Sequence, residues 1–105
     1  MSEVQGVFEQ AVLIAVATLG REASGATILA EVRERLKRDV HSGSVHSTLQ
    51  RLEQKRLVTS RKGTTPDRGG RPRRYYVVNK EGIGALRRAK VEIQKAWADF
   101  VVAKR

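Results

Sequence analysis

The 105 residues suffice for one domain, and a chain of this size buries roughly 65% of the surface its unfolded form exposes, so it can fold alone with little to spare. Lys and Arg number 21 against 11 Asp and Glu, a net charge of +10, so the expected partner is a polyanion, either nucleic acid or an anionic membrane. The absence of cysteine excludes disulfides, thiolate zinc sites, iron–sulfur clusters and a cysteine nucleophile.

The one long apolar run, Ala11 to Ala17, is far short of the roughly 20 residues a spanning helix needs. Glu3 and Glu9 precede it where a signal peptide would be basic, so the expectation is a soluble cytoplasmic protein. From Val7 to Leu19 the chain is apolar on almost every helical face, which predicts a central helix packed on more than one side and ended by Gly20. Ser24 then offers an N-cap, and Ile28, Val32 and Leu36, with Leu29 beside them, form the stripe of a second helix. Its outer face pairs Glu31 with Arg35 and Glu34 with Arg38 at i,i+4, the pattern of a solvated surface.

In "HSGSVHSTLQRLEQKRLV" either Ser42 or Ser44 can cap a third helix whose inward stripe is Val45, Leu49 and Leu52. Leu57 to Lys62 reads as a short strand and Arg73 to Asn79 as its partner, separated by Gly63, Pro66, Gly69, Gly70 and Pro72, which forbid regular structure. Tyr76 and Val78 are expected on the inward face of that hairpin, Arg73 and Tyr75 on the outward one. Asn79 can cap a last helix carrying Leu86, Ile93 and Phe100 at intervals of seven, with Ala89, Ala96 and Trp97 between them. Continued to the chain end, that helix would approach about 38 Å, longer than so small a core can cover. The class is mainly α with a small β-hairpin: a winged helix-turn-helix followed by a long C-terminal helix. Residues 1–79 form the expected DNA-binding part, with the wing at about 57–79, and residues 80–105 a dimerisation helix, in one compact unit.

Catalysis has no visible site. His41 and His46 are the only histidines, and neither belongs to a HExxH, GxSxG or GxxxxGK[ST] pattern. No metal or cofactor is expected. The third helix is more informative, because its outward face collects Ser47, Gln50, Arg51 and Gln54, with His46 at the margin and Ser44 near the start. Arg51 has Ser47, Thr48, Gln54 and Lys55 at its i±3 and i±4 positions, so no carboxylate of its own helix neutralises it. Gln and Arg bond adenine and guanine edges, which favours a DNA-facing surface over a merely solvated one. Lys55 and Arg56, in the last turn, fit the helix dipole whether or not DNA is present.

The hairpin adds charge. Residues 61–80 hold seven cations, Arg61, Lys62, Arg68, Arg71, Arg73, Arg74 and Lys80, against Asp67 alone, which accounts for six of the ten net charges. Such locality is what a phosphate or minor-groove contact requires. The terminal helix instead pairs Arg88 with Glu92 and Lys95 with Asp99 internally, and its Leu86, Ile93, Trp97 and Phe100 are expected to form either a strip across the chain's own core or, the favoured reading, a dimer seam. Trp97 could also stack on a flat ligand between subunits.

Three stretches, "SGATILAEVRERL", "SGSVHSTLQRLEQKRLV" and "RGGRPRRYYVVNKEG", together resemble the short members of the PadR family of transcriptional regulators. Gly43, Ser44, Leu49, Leu52 and Glu53 match the family's third-helix pattern, and Gly70, Arg71, Arg73, Tyr75 and Tyr76 its wing strand. The resemblance implies a homodimeric repressor on a pseudo-palindromic operator in double-stranded DNA, with the third helix in the major groove, the wing along the backbone or minor groove, and release by a flat aromatic effector. Ala26 stands where the family has an aromatic, His46 where it has Tyr, and Arg56 where it has Gly; the last removes the easy left-handed cap. Two other readings remain open on the residues alone: an RNA-binding or ribosome-associated basic module, poorly supplied with free aromatics for stacking, and a winged helix that docks an acidic protein.

Overall fold

The structure, a computed structural model, describes residues 3–66 and 72–104. Helix α1 spans Gly6–Leu19, a 3-10 turn Gly20–Glu22, α2 Gly25–Leu36, α3 Ser42–Gln54, β1 Val58–Pro66, β2 Pro72–Val78 and α4 Lys80–Trp97. This is the winged helix-turn-helix order with one helix appended.

Helix α1 is central because its apolar residues point in several directions: Ala11, Val12, Leu13, Ala15 and Val16 are all buried. Gly20 ends it at φ 57° and ψ −124°, donating its N–H back to the Val16 carbonyl. Ser24 caps α2 as expected. Its hydroxyl accepts from the Thr27 N–H while Thr27 Oγ1 accepts from the Ser24 N–H at 2.8 Å, a reciprocal cap that satisfies two otherwise orphaned donors. Ile28 and Val32 carry the buried stripe. Arg33 donates from both Nε and Nη2 to the Val40 carbonyl, at 3.0 and 2.8 Å, which fastens the turn into α3. Glu31 pairs with Arg35 at 2.9 Å, but Glu34 pairs with Lys37 rather than Arg38, whose guanidinium lies 5.8 Å above the Phe8 ring.

Helix α3 starts one residue earlier than a Ser42 cap would place it and three earlier than a Ser44 cap would. His41 is the N-cap, without a side-chain bond, and its carbonyl accepts from the Ser44 and Val45 N–H groups. Val45, Thr48, Leu49 and Leu52 are buried. At the other end the left-handed cap forms despite the missing glycine: Arg56 takes φ 62°, its N–H reaches the Glu53 carbonyl, and the Leu57 N–H reaches that of Leu52 at 2.9 Å. Both bonds are those of a Schellman cap, so Arg56 carries the conformational cost that Gly would avoid.

The strands are antiparallel, with Val58 opposite Val78, Ser60 opposite Tyr76 and Arg61 opposite Tyr75. That register puts Tyr76 and Val78 on the core side, Tyr76 only 5% exposed, while Val77 on the other face is 49% exposed. The Tyr76 N–H also donates to the Ala23 carbonyl at 2.8 Å, so the segment before α2 lies along the free edge of β2. Asn79 caps α4 through Oδ1, which accepts the Gly82 N–H, and its Nδ2 donates to the Arg56 carbonyl at 2.7 Å.

Helix α4 is shorter than the heptad pattern predicts. It stops at Trp97, about 27 Å by the usual rise, and Asp99 lies beyond it at φ 57°. The Lys95 and Asp99 pairing on one helix therefore has no basis, and Phe100 falls outside α4. The physical reason is lack of burial: among the described residues, every one from Lys90 to Lys104 is exposed.

Candidate nucleic-acid interface

Ser44, His46, Ser47, Gln50, Arg51 and Gln54 are all exposed on α3, opposite the buried Val45, Leu49 and Leu52. The helix thus presents hydrogen-bonding side chains as one flank. On the wing, Arg61, Lys62, Arg73 and Arg74 are exposed. The expected contacts Arg68 and Arg71 lie outside the described residues. Arg61 rests over the Tyr75 ring at 5.1 Å, a cation–π contact across the strand pair that steadies its long side chain. Arg74, on the opposite face, donates from Nη1 to Ser60 Oγ at 2.9 Å, and that hydroxyl donates to Glu53 Oε2 at 2.6 Å. The wing is therefore tied to the last turn of α3 through side chains as well as through the chain.

One residue to which the sequence assigns no part in the site is Glu9. It stands in an apolar helix and is only 5% exposed, yet it is ionised: Lys55 Nζ lies 2.5 Å from Oε1 and Arg51 Nε 3.5 Å from Oε2, while the Gln5 N–H donates to Oε1 at 3.0 Å. Burial pushes this carboxyl up, but Lys55, the Gln5 amide and Arg51 outweigh it and hold it below the ordinary carboxylate range. Lys55 also donates to the Glu3 carbonyl. So Lys55 has a specific partner and does more than follow the helix dipole, and Arg51 has a carboxylate after all, supplied by another helix. The available signal was a lone acid in an apolar segment, which needs a cation to be buried. Tyr76 is shifted too, its phenol pushed up by burial and by the Glu53 carboxylate against the opposing Arg74.

Leu86 packs on the chain's own core, whereas Ile93, Trp97 and Phe100 are 53%, 63% and 59% exposed. Trp97 and Phe100 meet edge to face at 5.1 Å. A groove between α4 and the start of α1 is of mixed polarity, lined by Val4, Val7, Ala89 and Ile93 together with Gln10, Arg88 and Glu92. Among the described residues no cluster of three or more His, Asp or Glu could hold a metal ion, and no helix is long and apolar enough to cross a membrane.

The family model for the "Transcriptional regulator PadR-like family" matches residues 13–88, from the middle of α1 into α4. The chain belongs to the PadR-like family. It is accordingly a DNA-binding transcription regulator rather than an enzyme. A PadR-family regulator from Clostridium difficile is 27% identical, covering 88% of this chain and 95% of that one, with a TM-score of 0.70. A PadR-like transcription factor from Bacteroides fragilis is 18% identical at TM-score 0.69, with 84% and 81% covered. BpsR of Bordetella bronchiseptica, whose DNA binding is regulated by 6-hydroxynicotinic acid, is 14% identical at TM-score 0.61, with 93% and 69% covered. No curated protein sequence matches the chain.

Proposed function

We propose that this PadR-like chain is a homodimeric, sequence-specific repressor that lays α3 in the major groove and its wing on the backbone or minor groove. The observation that carries the reading is the exposed polar flank of α3 beside a wing whose described cations, Arg61, Lys62, Arg73 and Arg74, are all exposed. Ser44, His46, Ser47, Gln50, Arg51 and Gln54 read base edges; the wing cations, with Arg68 and Arg71, supply the sequence-independent affinity. Residues 1–79 act as the DNA-binding part and 80–105 as the assembly part. Ile93, Trp97 and Phe100 form a seam with a second copy, continuous with the groove along α1, and Leu86 borders it. Two copies related by a two-fold axis require a pseudo-palindromic operator with half-sites about one helical turn apart.

Release by a flat aromatic effector is supported by the exposed Trp97 face and by the regulation of BpsR by 6-hydroxynicotinic acid, itself a flat aromatic acid. The deciding experiment is selection of bound sequences from random duplexes, then salt titration of the recovered site. A slope of roughly −5 to −9 is expected for six to ten neutralised phosphates. Equal affinity for recovered and scrambled duplexes would refute sequence-specific function.

A further inference from the structure

We propose that Glu9, on α1 and itself no part of the polar flank of α3, is a positioning residue that withholds Arg51 and Lys55 from DNA phosphates and so sets the protein's ratio of specific to sequence-blind binding. This rests on α3 as the helix that enters the groove.

The geometry is that of a clamp. A carboxylate 5% exposed receives one cation on each oxygen, and a backbone N–H completes its shell. Lys55 is drawn down until 25% of its side chain is exposed, held also by the Glu3 carbonyl. Arg51 turns Nε to Glu9 and Nη2 to Thr48 Oγ1 at 3.1 Å, which occupies the edge of the guanidinium that forks most readily onto a phosphate. With 53% of its side chain exposed, Arg51 keeps its remaining Nη1 end for a base edge. Two unclamped cations at this end of a groove-bound helix would instead reach the phosphates of any duplex, raising affinity everywhere without adding discrimination. Glu9 cancels one of the two charges and fixes the direction of both side chains.

Glu9→Gln keeps the size and an acceptor for the Gln5 N–H but removes the charge. Its test is anisotropy titration, across salt, of the duplex recovered by selection and a scrambled duplex of equal length. The scrambled duplex should bind roughly fivefold to tenfold tighter at low salt, with a slope steeper by about 1–2, and the ratio of the two affinities should fall at least about fivefold. Arg51→Ala added to Glu9→Gln should reverse most of that gain. A merely structural role predicts the opposite pattern, parallel loss on both duplexes with the slope unchanged, and that result overturns the proposal.

If Glu9→Gln melts below the assay temperature, Arg51→Ala in the parent decides. Less than about twofold loss on the scrambled duplex at constant slope supports the clamp, and a slope flatter by about one overturns it. Gln50→Ala separates the layers of the argument. An unchanged affinity ratio there removes α3 as the reader and the clamp with it, whereas a lowered ratio beside an unaffected Glu9→Gln removes the clamp alone.

Discussion

Replacing Trp97 by Ala tests the proposed seam at its largest side chain. A tryptophan side chain contributes up to about 250 Å², so an exposure of 63% leaves about 160 Å² to be covered, equivalent to about 4 kcal/mol at 25 cal/mol per Å². A partner covers only part of that, and interface truncations of this kind cost about 2–3 kcal/mol. Two-fold symmetry counts the loss twice, so the dimer should weaken by about 4–6 kcal/mol, or roughly three to four orders of magnitude in dissociation constant. The fold of each copy should be unaffected, because Trp97 contacts Phe100 rather than the core. Sedimentation equilibrium over a concentration series measures the change. In parallel, affinity for a duplex with both half-sites should drop while that for a single half-site stays constant. A parent protein that is monomeric at high concentration, or a variant that dimerises within threefold of the parent, would refute the seam.

Arg56→Gly should stabilise the protein by about 0.5–1 kcal/mol, since a left-handed non-glycine residue costs about 1–2 kcal/mol and the added unfolded-state freedom returns about half of that; calorimetry should show Tm rising by a few degrees. Gly82→Ala should destabilise by about 3 kcal/mol, because its Cβ would lie 2.3 Å from the Leu57 carbonyl oxygen and 2.6 Å from Val78 Cγ1, and the first of these is backbone that cannot turn aside; urea midpoints will show it. Acid should unfold the parent partly through Glu9. Its carboxyl is held below the ordinary value of 4.5, so its contribution is full above that value and is lost as pH falls through the folded one. The stability gap between parent and Glu9→Gln should therefore narrow below about pH 4.5, and a constant gap would contradict it. Arg61→Ser with Lys62→Ser should flatten the salt slope by about 2 on all duplexes alike, measured by anisotropy.

What could be read from the sequence was whatever local spacing encodes. The stripe of Ile28 and Val32, that of Val45, Leu49 and Leu52, and the alternation around Tyr76 each repeat within a few residues, and each became a buried face. The caps at Ser24 and Asn79 were legible for the same reason. Three features were not. The start of α3 was misplaced because two serines looked better capped than His41, yet the chain caps it with backbone alone. The length of α4 was overestimated because a heptad pattern persists in the sequence beyond Trp97, while the described residues beyond it are all exposed in a single copy. The Glu9 clamp joins residues 42 positions apart, so no window along the chain contains both partners. Arg56 is an intermediate case: the cap position was recognised, but the chain forms the cap without the residue that suits it.

The anchors of α3 constrain how an effector could work. Helix α3 is bound to α1 through Glu9, to the wing through Glu53, Ser60 and Arg74, and to the start of α4 through the Arg56 carbonyl and Asn79. The wing is fastened in turn to the segment before α2 by the Tyr76 N–H. Deforming the proposed DNA face would break several of these bonds at once. Among the described residues, those of the distal half of α4 are all exposed, Trp97 with them. On the proposed reading, a flat molecule bound there leaves each reading head intact and changes the distance or angle between the two copies. Half-site spacing then becomes the quantity under control. An effector should weaken binding to a two-half-site duplex and leave binding to a single half-site unchanged.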